Sequence, residues 1–440
     1  MTAPAGSLRR LAADVLEAVD AGMHSNRALA DHLELHPTCP PRDRGLVTHL
    51  VYGVLRHRIR LDAHIDAAAH HPHKLGPRVR RLLRIGAFEL LELGHPPHAA
   101  IAEAAAAART LRGGAGLGRL VGGILASVAE HGPKVDASLD DGPLLDRLER
   151  RHSVPRWWAG RWVQSLAPDA ALARAAAIGR APPVELRVGP GVPVETVARE
   201  LAAGRPGATV RPIEGVARGL ALRGAGDVFY APRATAGDVW VQSGPSQRVV
   251  EILAPAPGER VLDLCAGRGT KTRDLAARLG GRGRLVAADL DDRRLGALED
   301  LADQGLLQAP DGGLAVLCHD ATTPLPEDLR QAFDAVLVDA PCTGLGEAAR
   351  HPEVRYRRRY EDLAACAARQ RAILTQAASA VAAGGRLVYA VCSNEPEEGP
   401  GVVDAFLRDR PDFVATARVV MTPEDGWSAG FFAARLVRAR

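Results

Sequence analysis

The sequence predicts a multidomain chain of three parts: an all-α N-terminal domain, a small α+β middle domain, and a C-terminal α/β domain with a mostly parallel, doubly wound sheet. Three observations predict it. Apolar residues recur at i, i+3 and i+4 from Leu8 to about Glu130, a helical period. A stretch of mixed strand and helix character follows a Gly/Pro-marked connector. From about Gln242, short apolar runs alternate with helical segments of roughly 10–15 residues. The length of 440 residues agrees, because a single core rarely grows beyond roughly 250–300 residues.

In residues 1–135 the helical stretches "LRRLAADVLEAV", "RGLVTHLVYGVLRHRIRLDAHI", "VRRLLRIGAFELLEL" and "HAAIAEAAAAARTL" are broken by "HPTCPPRDRG", "LGHPPH" and "RGGAGLG". Pro and Gly interrupt the period, so several short helices are expected. "HGPKVDASLDDGP", residues 131–143, reads as a polar connector. In residues 144–235, "RHSVPRWWAGRWVQSL" reads as a helix whose Trp157, Trp158 and Trp162 recur at helical spacing, which favours packing over base stacking. "PVELRV", a helix from Val194 to Ala203, and "ATVRPI" form a β-α-β-like unit, with a strand near Leu220 to Leu222. Residues 240–440 alternate "RVLDLCAG", "RLVAADL", "LAVLCHD", "FDAVLVDAPC" and "RLVYAVCS" with helices, and end on a helix, "GVVDAFLRDRPDF", and "GFFAARLVR". Parallel strands joined by helices imply right-handed crossovers.

Hydrophobic residues at 47% and charged residues at 25% exclude a disordered chain. No run approaches the roughly 20 apolar residues of a membrane span, and "MTAPAGSLRRLAADVLEAVD" carries charges where a leader needs an apolar core. A cytoplasmic protein without membrane association is expected. Six cysteines without CxxC spacing point to free thiols and to no zinc site. The tract "HIDAAAHHPHK" lacks ligand spacing, so its histidines are expected to be solvated or in loops, and no metal is expected. A net charge of +4 is too small to name a partner without local clusters.

"VLDLCAGRGTKT" runs from a strand through a glycine turn into a helix. It departs from GxGxxG at Thr272 and from the phosphate-binding P-loop at Thr270, so a pyrophosphate cradle is disfavoured. Asp289 closes the next strand, where a carboxylate can accept from a ribose diol. Asp320 ends the third strand and Asp339 the fourth. Polar residues at successive strand ends favour a nucleoside-type cofactor, and S-adenosylmethionine fits better than NAD because it has no pyrophosphate.

"DAPCTGLG" and "YAVCSNEPEE" place Cys342 and Cys392 after two different strands, with Glu395, Glu397 and Glu398 close behind the second. A thiolate is a nucleophile. Carbon 5 of cytosine does not accept a methyl group unaided, whereas thiolate addition at carbon 6, with a carboxyl group at N3, makes carbon 5 enamine-like. "LDLCAGRGTKT", "DAPC" followed by glycines, "RHPEVRY" and "LVYAVCSNEPEE" together resemble the RsmB/Sun-type 16S ribosomal RNA cytosine-C5 methyltransferases. The resemblance covers most of the chain. It implies a NusB-like N-terminal domain, a small middle domain and a Rossmann-like S-adenosylmethionine-dependent methyltransferase.

By this resemblance Cys392 is the nucleophile, Cys342 assists product release, and Asp339 touches cofactor and base. The segment Cys265, Ala266, Gly267, Arg268, Gly269, Thr270 and Lys271 would hold the methionine part, Asp289 the ribose and Asp320 the adenine. Arg268 and Thr270 stand where the family has Pro and Gly, which leaves open a second reading: a non-catalytic RNA-binding ribosome-assembly factor. A third is an amino-methyltransferase for which Cys342 is incidental. "ARHPEVRYRRRYED" interleaves Arg350, Arg355, Arg357 and Arg358 with Tyr356, a pattern suited to a loop or single-stranded region of ribosomal RNA.

Overall fold

The computed structural model describes residues 7–204, 207–224 and 232–440; residues 1–6, part of the stretch read for a leader, and 225–231, part of the expected middle domain, lie outside them. The chain divides into two compact units. One comprises the residues up to Ala181 together with Ala348–Arg357, and the other Pro182–Glu347 together with Arg358–Arg440.

The first unit is helical. Its main helices are α1 (Ser7–Asp20), α2 (Ser25–Glu34), α3 (Pro41–Arg56), α4 (Arg58–Ala68), α5 (Pro77–Leu91), α6 (Pro97–Arg109) and α7 (Gly114–Asp140). Pro41, Pro77 and Pro97 open their helices, where a missing N–H costs no hydrogen bond. The apolar stripes meet in one core that includes Leu16, Leu50, Val51, Leu61, Leu83, Ile85 and Leu125. Trp158 and Trp162 are buried, with ring centroids 4.7 Å apart, as packing residues.

Two expectations fail here. The stretch read as a connector from residue 131 continues α7 through Pro133 to Asp140. Side chains hold it: Asp136 accepts from Arg60 Nη2 at 2.7 Å and Arg151 Nη1 at 3.0 Å, with His64 Nε2 at 3.1 Å. Burial alone would raise the Asp136 pKa, but the bonds from His64 and Arg60 and the Arg151 charge hold it well below the usual carboxylate range. His64, expected in solvent, is therefore an internal residue, while His70, His71 and His73 are exposed.

The second unit contains two sheets. The smaller orders its strands β2-β3-β1-β4, from β1 (Val184–Val188), β2 (Thr209–Pro212), β3 (Gly219–Arg223) and β4 (Val239–Val241), all antiparallel. The larger is seven-stranded: β10-β11-β9-β8-β5-β6-β7, with β5 (Arg260–Asp263), β6 (Arg284–Asp289), β7 (Leu314–Cys318), β8 (Phe333–Asp339), β9 (Val381–Val391), β10 (Phe413–Met421) and β11 (Phe431–Arg438). From β9 to β7 every pairing is parallel, whereas β11 runs antiparallel to both β9 and β10. The sheet is mixed, and β4 and β10 are strands that periodicity did not reveal.

Buried charge ties the smaller sheet to the helix Thr270–Leu279. Arg187 on β1 pairs with Asp274 at 2.9 Å, with side chains 3% and 0% exposed. Burial lowers the Arg187 pKa although Asp274 opposes it. Removing one member of such a pair strands the other charge in a low-dielectric interior. Asp274→Ala is expected to lower the unfolding free energy by about 3 kcal/mol, measured as a shift of the urea midpoint at constant m-value.

Candidate active site

β5 and β8 are neighbours although the chain visits β6 and β7 between them. Strand order reverses at this pair, so the connections leaving their carboxyl ends part and open a crevice. Gly267 (φ +58°) and Gly269 (φ +82°) turn the chain there in the left-handed region. A Cβ on Gly269 would lie 2.3 Å from Leu298 Cδ1, so only glycine lets the turn pack against that helix. A Cβ on Gly267 would meet nothing within 4 Å, so the loop faces open space. Arg268 and Thr270 are exposed, and both glycine conformations persist beside them. The two exchanged side chains therefore leave the backbone shape of the turn in place.

Acids surround the turn. Asp289 accepts from Gly267 N–H at 2.9 Å on Oδ2 and from Asp291 N–H at 3.0 Å on Oδ1, leaving each oxygen a lone pair for a diol. Beyond β7, Thr322 N–H and Oγ1 hold Asp320 Oδ1 at 2.9 and 2.7 Å and lower its pKa. Lys271 Nζ pairs with Asp339 Oδ2 at 2.5 Å. Burial alone would lower the lysine pKa, but the Asp339 charge and hydrogen bond outweigh it and raise it.

Asp263 was overlooked in the sequence; its signal is an acid inside the otherwise apolar "VLDLC". It is 1% exposed, accepts from Thr272 Oγ1 at 2.7 Å on Oδ2, and leaves Oδ1 without a partner. Burial pushes its pKa up to about 7 despite the Thr272 bond, with the Asp339 charge adding to the rise. An unpartnered buried acceptor, several carboxylates and an open side at Gly267 fit S-adenosylmethionine, which carries an ammonium, a sulfonium and a diol. They oppose a pyrophosphate.

The two cysteines converge. Cys342 follows β8, Cys392 follows β9, and their sulfurs are 3.2 Å apart. The Cys342 thiol is pushed well above its ordinary value by its bond to Cys392, by burial and by the Cys392 and Glu398 charges. At that distance either sulfur can donate to the other. Cys265 is likewise pushed well up by burial, and it packs against the core below the loop.

Residues 250–435 match the family described as 16S rRNA methyltransferase RsmB/F, and residues 7–130 match the NusB family. Ribosomal RNA small subunit methyltransferase B of Thermus thermophilus is 36% identical over 93% of this chain and 89% of its own length. The chain belongs to the RsmB/F methyltransferases. The Vibrio cholerae protein of the same description is 31% identical over 92% of this chain and 90% of its own. Among solved structures, PH0851 superposes with a TM-score of 0.80 at 24% identity over 99% of both chains, which supports the fold. As an RsmB/F member the chain is an S-adenosylmethionine-dependent rRNA methyltransferase with a NusB-like helical part and a Rossmann-like methyltransferase part. No helix among the described residues is long and apolar enough to cross a membrane.

The basic segment is the main correction to the sequence-derived site of this RsmB/F member. Arg355 is 0% exposed, and its guanidinium donates to the carbonyls of Ile178 (2.5 Å), Ala348 (3.1 Å) and Arg56 (3.3 Å) within the helical unit. Tyr356 lies under the Arg58 guanidinium at 5.2 Å, with its hydroxyl 3.5 Å from Ser153 O. Arg357 donates to Val19 O at 2.7 Å and also to Met23 O. Arg358 Nε donates to Thr343 O at 2.7 Å, and Arg350 is half-buried. Arg355, Tyr356 and Arg357 are internal ties, because unpaired carbonyls in that interior need donors more than solvent needs another cation.

Two outcomes follow from these placements. Between pH 3.8 and about 7 the folded chain holds a proton on Asp263 that the unfolded chain lacks. That contribution is full below the unfolded value and is lost as pH rises through 7, so wild type should lose stability across this window. Asp263→Asn should flatten the loss, read from urea titrations at about pH 5 and about pH 8. Arg355→Ala should cost about 3 kcal/mol of stability. It should leave the salt dependence of RNA binding unchanged, where a phosphate contact would reduce the log–log slope by about 0.7.

Proposed function

We propose that the chain methylates carbon 5 of a cytosine in small-subunit ribosomal RNA, in the cytoplasm, through a covalent bond between Cys392 and carbon 6. The observation that carries this reading is the approach of two cysteine sulfurs to 3.2 Å from the ends of adjacent parallel strands. One thiol serves a nucleophile; a second in contact with it serves a reaction that must also undo the adduct.

When bound, the cofactor supplies an electrophilic methyl group on its sulfonium. The segment Cys265–Lys271 faces its methionine part, Asp289 its ribose and Asp320 its adenine. Cys392 attacks carbon 6 as the thiolate, with the Cys342 thiol donating to its sulfur before attack. Asp339, paired with Lys271, is presented to the N3 edge, and the pair carries a proton that meets negative charge building there. Carbon 5 then takes the methyl group.

Release needs two proton movements. Cys342 passes its proton to the Cys392 sulfur as the sulfur–carbon 6 bond breaks, with the bonding electrons staying on sulfur. The carbon 5 proton moves to Cys342, and its former bonding pair restores the carbon 5–carbon 6 double bond. Both thiols end protonated. A target in a loop or single strand suits this crevice, since unstacking such a base costs only a few kcal/mol. The NusB-like helices add RNA or protein contacts.

Cys392→Ala should reduce methyl transfer by at least about a thousandfold, while Cys342→Ala should accumulate enzyme joined to RNA on denaturing gels. Undiminished transfer by Cys392→Ala, with no adduct from Cys342→Ala, would reject the assignment. Bisulfite mapping of rRNA from a deletion strain should show one cytosine losing protection.

A further inference from the structure

Glu398 lies six residues beyond Cys392, and it is 0% exposed. Its Oε1 accepts Thr343 N–H at 2.7 Å and Gln370 Nε2 at 3.1 Å, and its Oε2 accepts Thr343 Oγ1 at 2.5 Å. All three donors are neutral. Gln370 Nε2 also donates to Pro341 O at 3.0 Å, and Arg358 Nε donates to Thr343 O at 2.7 Å. The peptide groups on both sides of Cys342 are therefore gripped. Glu398 itself is held in place by its own carbonyl, which accepts the Tyr389 hydroxyl at 2.5 Å.

Burying a carboxylate among neutral donors is expensive, and neutral amide side chains could fill the same space at lower cost. What an amide cannot do is accept two donors from one residue on two oxygens. Only a carboxylate, or a carboxylate mimic, takes the Thr343 amide and hydroxyl together. Cys392 is placed by other means: it directly follows β9, and its carbonyl accepts Gly346 N–H at 3.0 Å. The clamp thus acts on one cysteine of the pair.

We propose that Glu398 is a positioning residue whose two-oxygen grip on Thr343 holds Cys342 against the Cys392 sulfur, so that product release depends on it more than methyl transfer does. The proposal rests on the reading of Cys392 as nucleophile and Cys342 as the release residue. A loosened Cys342 leaves attack and methyl transfer in place and slows the proton relay that frees Cys392. A folding role alone would depress both steps together.

The test compares Glu398→Gln, Thr343→Val and Thr343→Ser in the full chain, with unmodified small-subunit rRNA and S-adenosylmethionine. Expected for Glu398→Gln are a first turnover within about threefold of wild type, steady turnover down at least about tenfold, and a denaturation-resistant RNA adduct. Thr343→Val should show the same split more weakly, and Thr343→Ser, which keeps the hydroxyl, should restore release. Equal losses in both steps without adduct, or normal turnover, overturn the proposal; if Glu398→Gln does not fold, the valine–serine pair decides alone. Cys342→Ala runs alongside: no adduct from it means the cysteine reading has failed, whereas adduct from it and none from Glu398→Gln or Thr343→Val rejects only the clamp.

Discussion

Gly346 joins three pieces of chain by its backbone alone. Its N–H donates to Cys392 O at 3.0 Å, and its carbonyl accepts Gly430 N–H at 2.8 Å. A Cβ at this position would lie 1.9 Å from Gly430 O, so no other residue permits the approach. The connection leaving β8, the end of β9 and the turn into β11 are thereby laced together where the sheet changes from parallel to antiparallel. Asp339 on β8 is level with Ala390 on β9. Matched strand ends plus this lacing bring the Cys342 and Cys392 sulfurs into contact. Side chains such as Glu398 refine an arrangement that the peptide groups make possible.

The crevice holds more acid than base, and the imbalance is resolved differently at each carboxylate. Asp339 has Lys271, Asp289 has two backbone donors, and Asp263 has one hydroxyl and a pKa near 7. Low-dielectric surroundings make neutralisation by a proton cheaper than a third uncompensated charge. A cationic ligand would relieve carboxylates placed in this way, whereas a pyrophosphate would add to their repulsion. The exposed Arg268 stands on the solvent side of the turn and leaves the inner balance alone.

Most of the α/β part was legible because buried parallel strands are written as apolar runs with polar residues at their ends; this is why Asp289, Asp339, Cys342 and Cys392 could be placed at or just beyond strand ends. β10 escaped because it is an edge strand whose residues between Phe413 and Met421 are largely solvent-facing, and β4 because three residues carry no period. α7 outran its expected end because Asp136 finds three partners far away in sequence. Glu398 was visible as a glutamate but its partner was not, since Thr343 lies 55 residues away. The arginine run misled for the same reason: composition describes a basic surface and a set of internal donors in identical letters, and only tertiary partners distinguish them.

The ten residues Ala348–Arg357 belong to the helical unit, although the chain on either side of them belongs to the second. The chain leaves the second unit after Glu347 and re-enters at Arg358, whose Nε donates to Thr343 O. Both ends of the ten-residue excursion are therefore tied to the same short stretch of backbone: one through Gly346, the other through Thr343. Inside the helical unit, Arg355 spends its guanidinium on three carbonyls, and Glu353 Oε1 accepts Ser25 N–H at 3.0 Å at the start of α2. A guanidinium suits that task because its planar fork can satisfy several carbonyls at once with one delocalised charge. Within the helical unit the excursion cannot slide without breaking these buried hydrogen bonds.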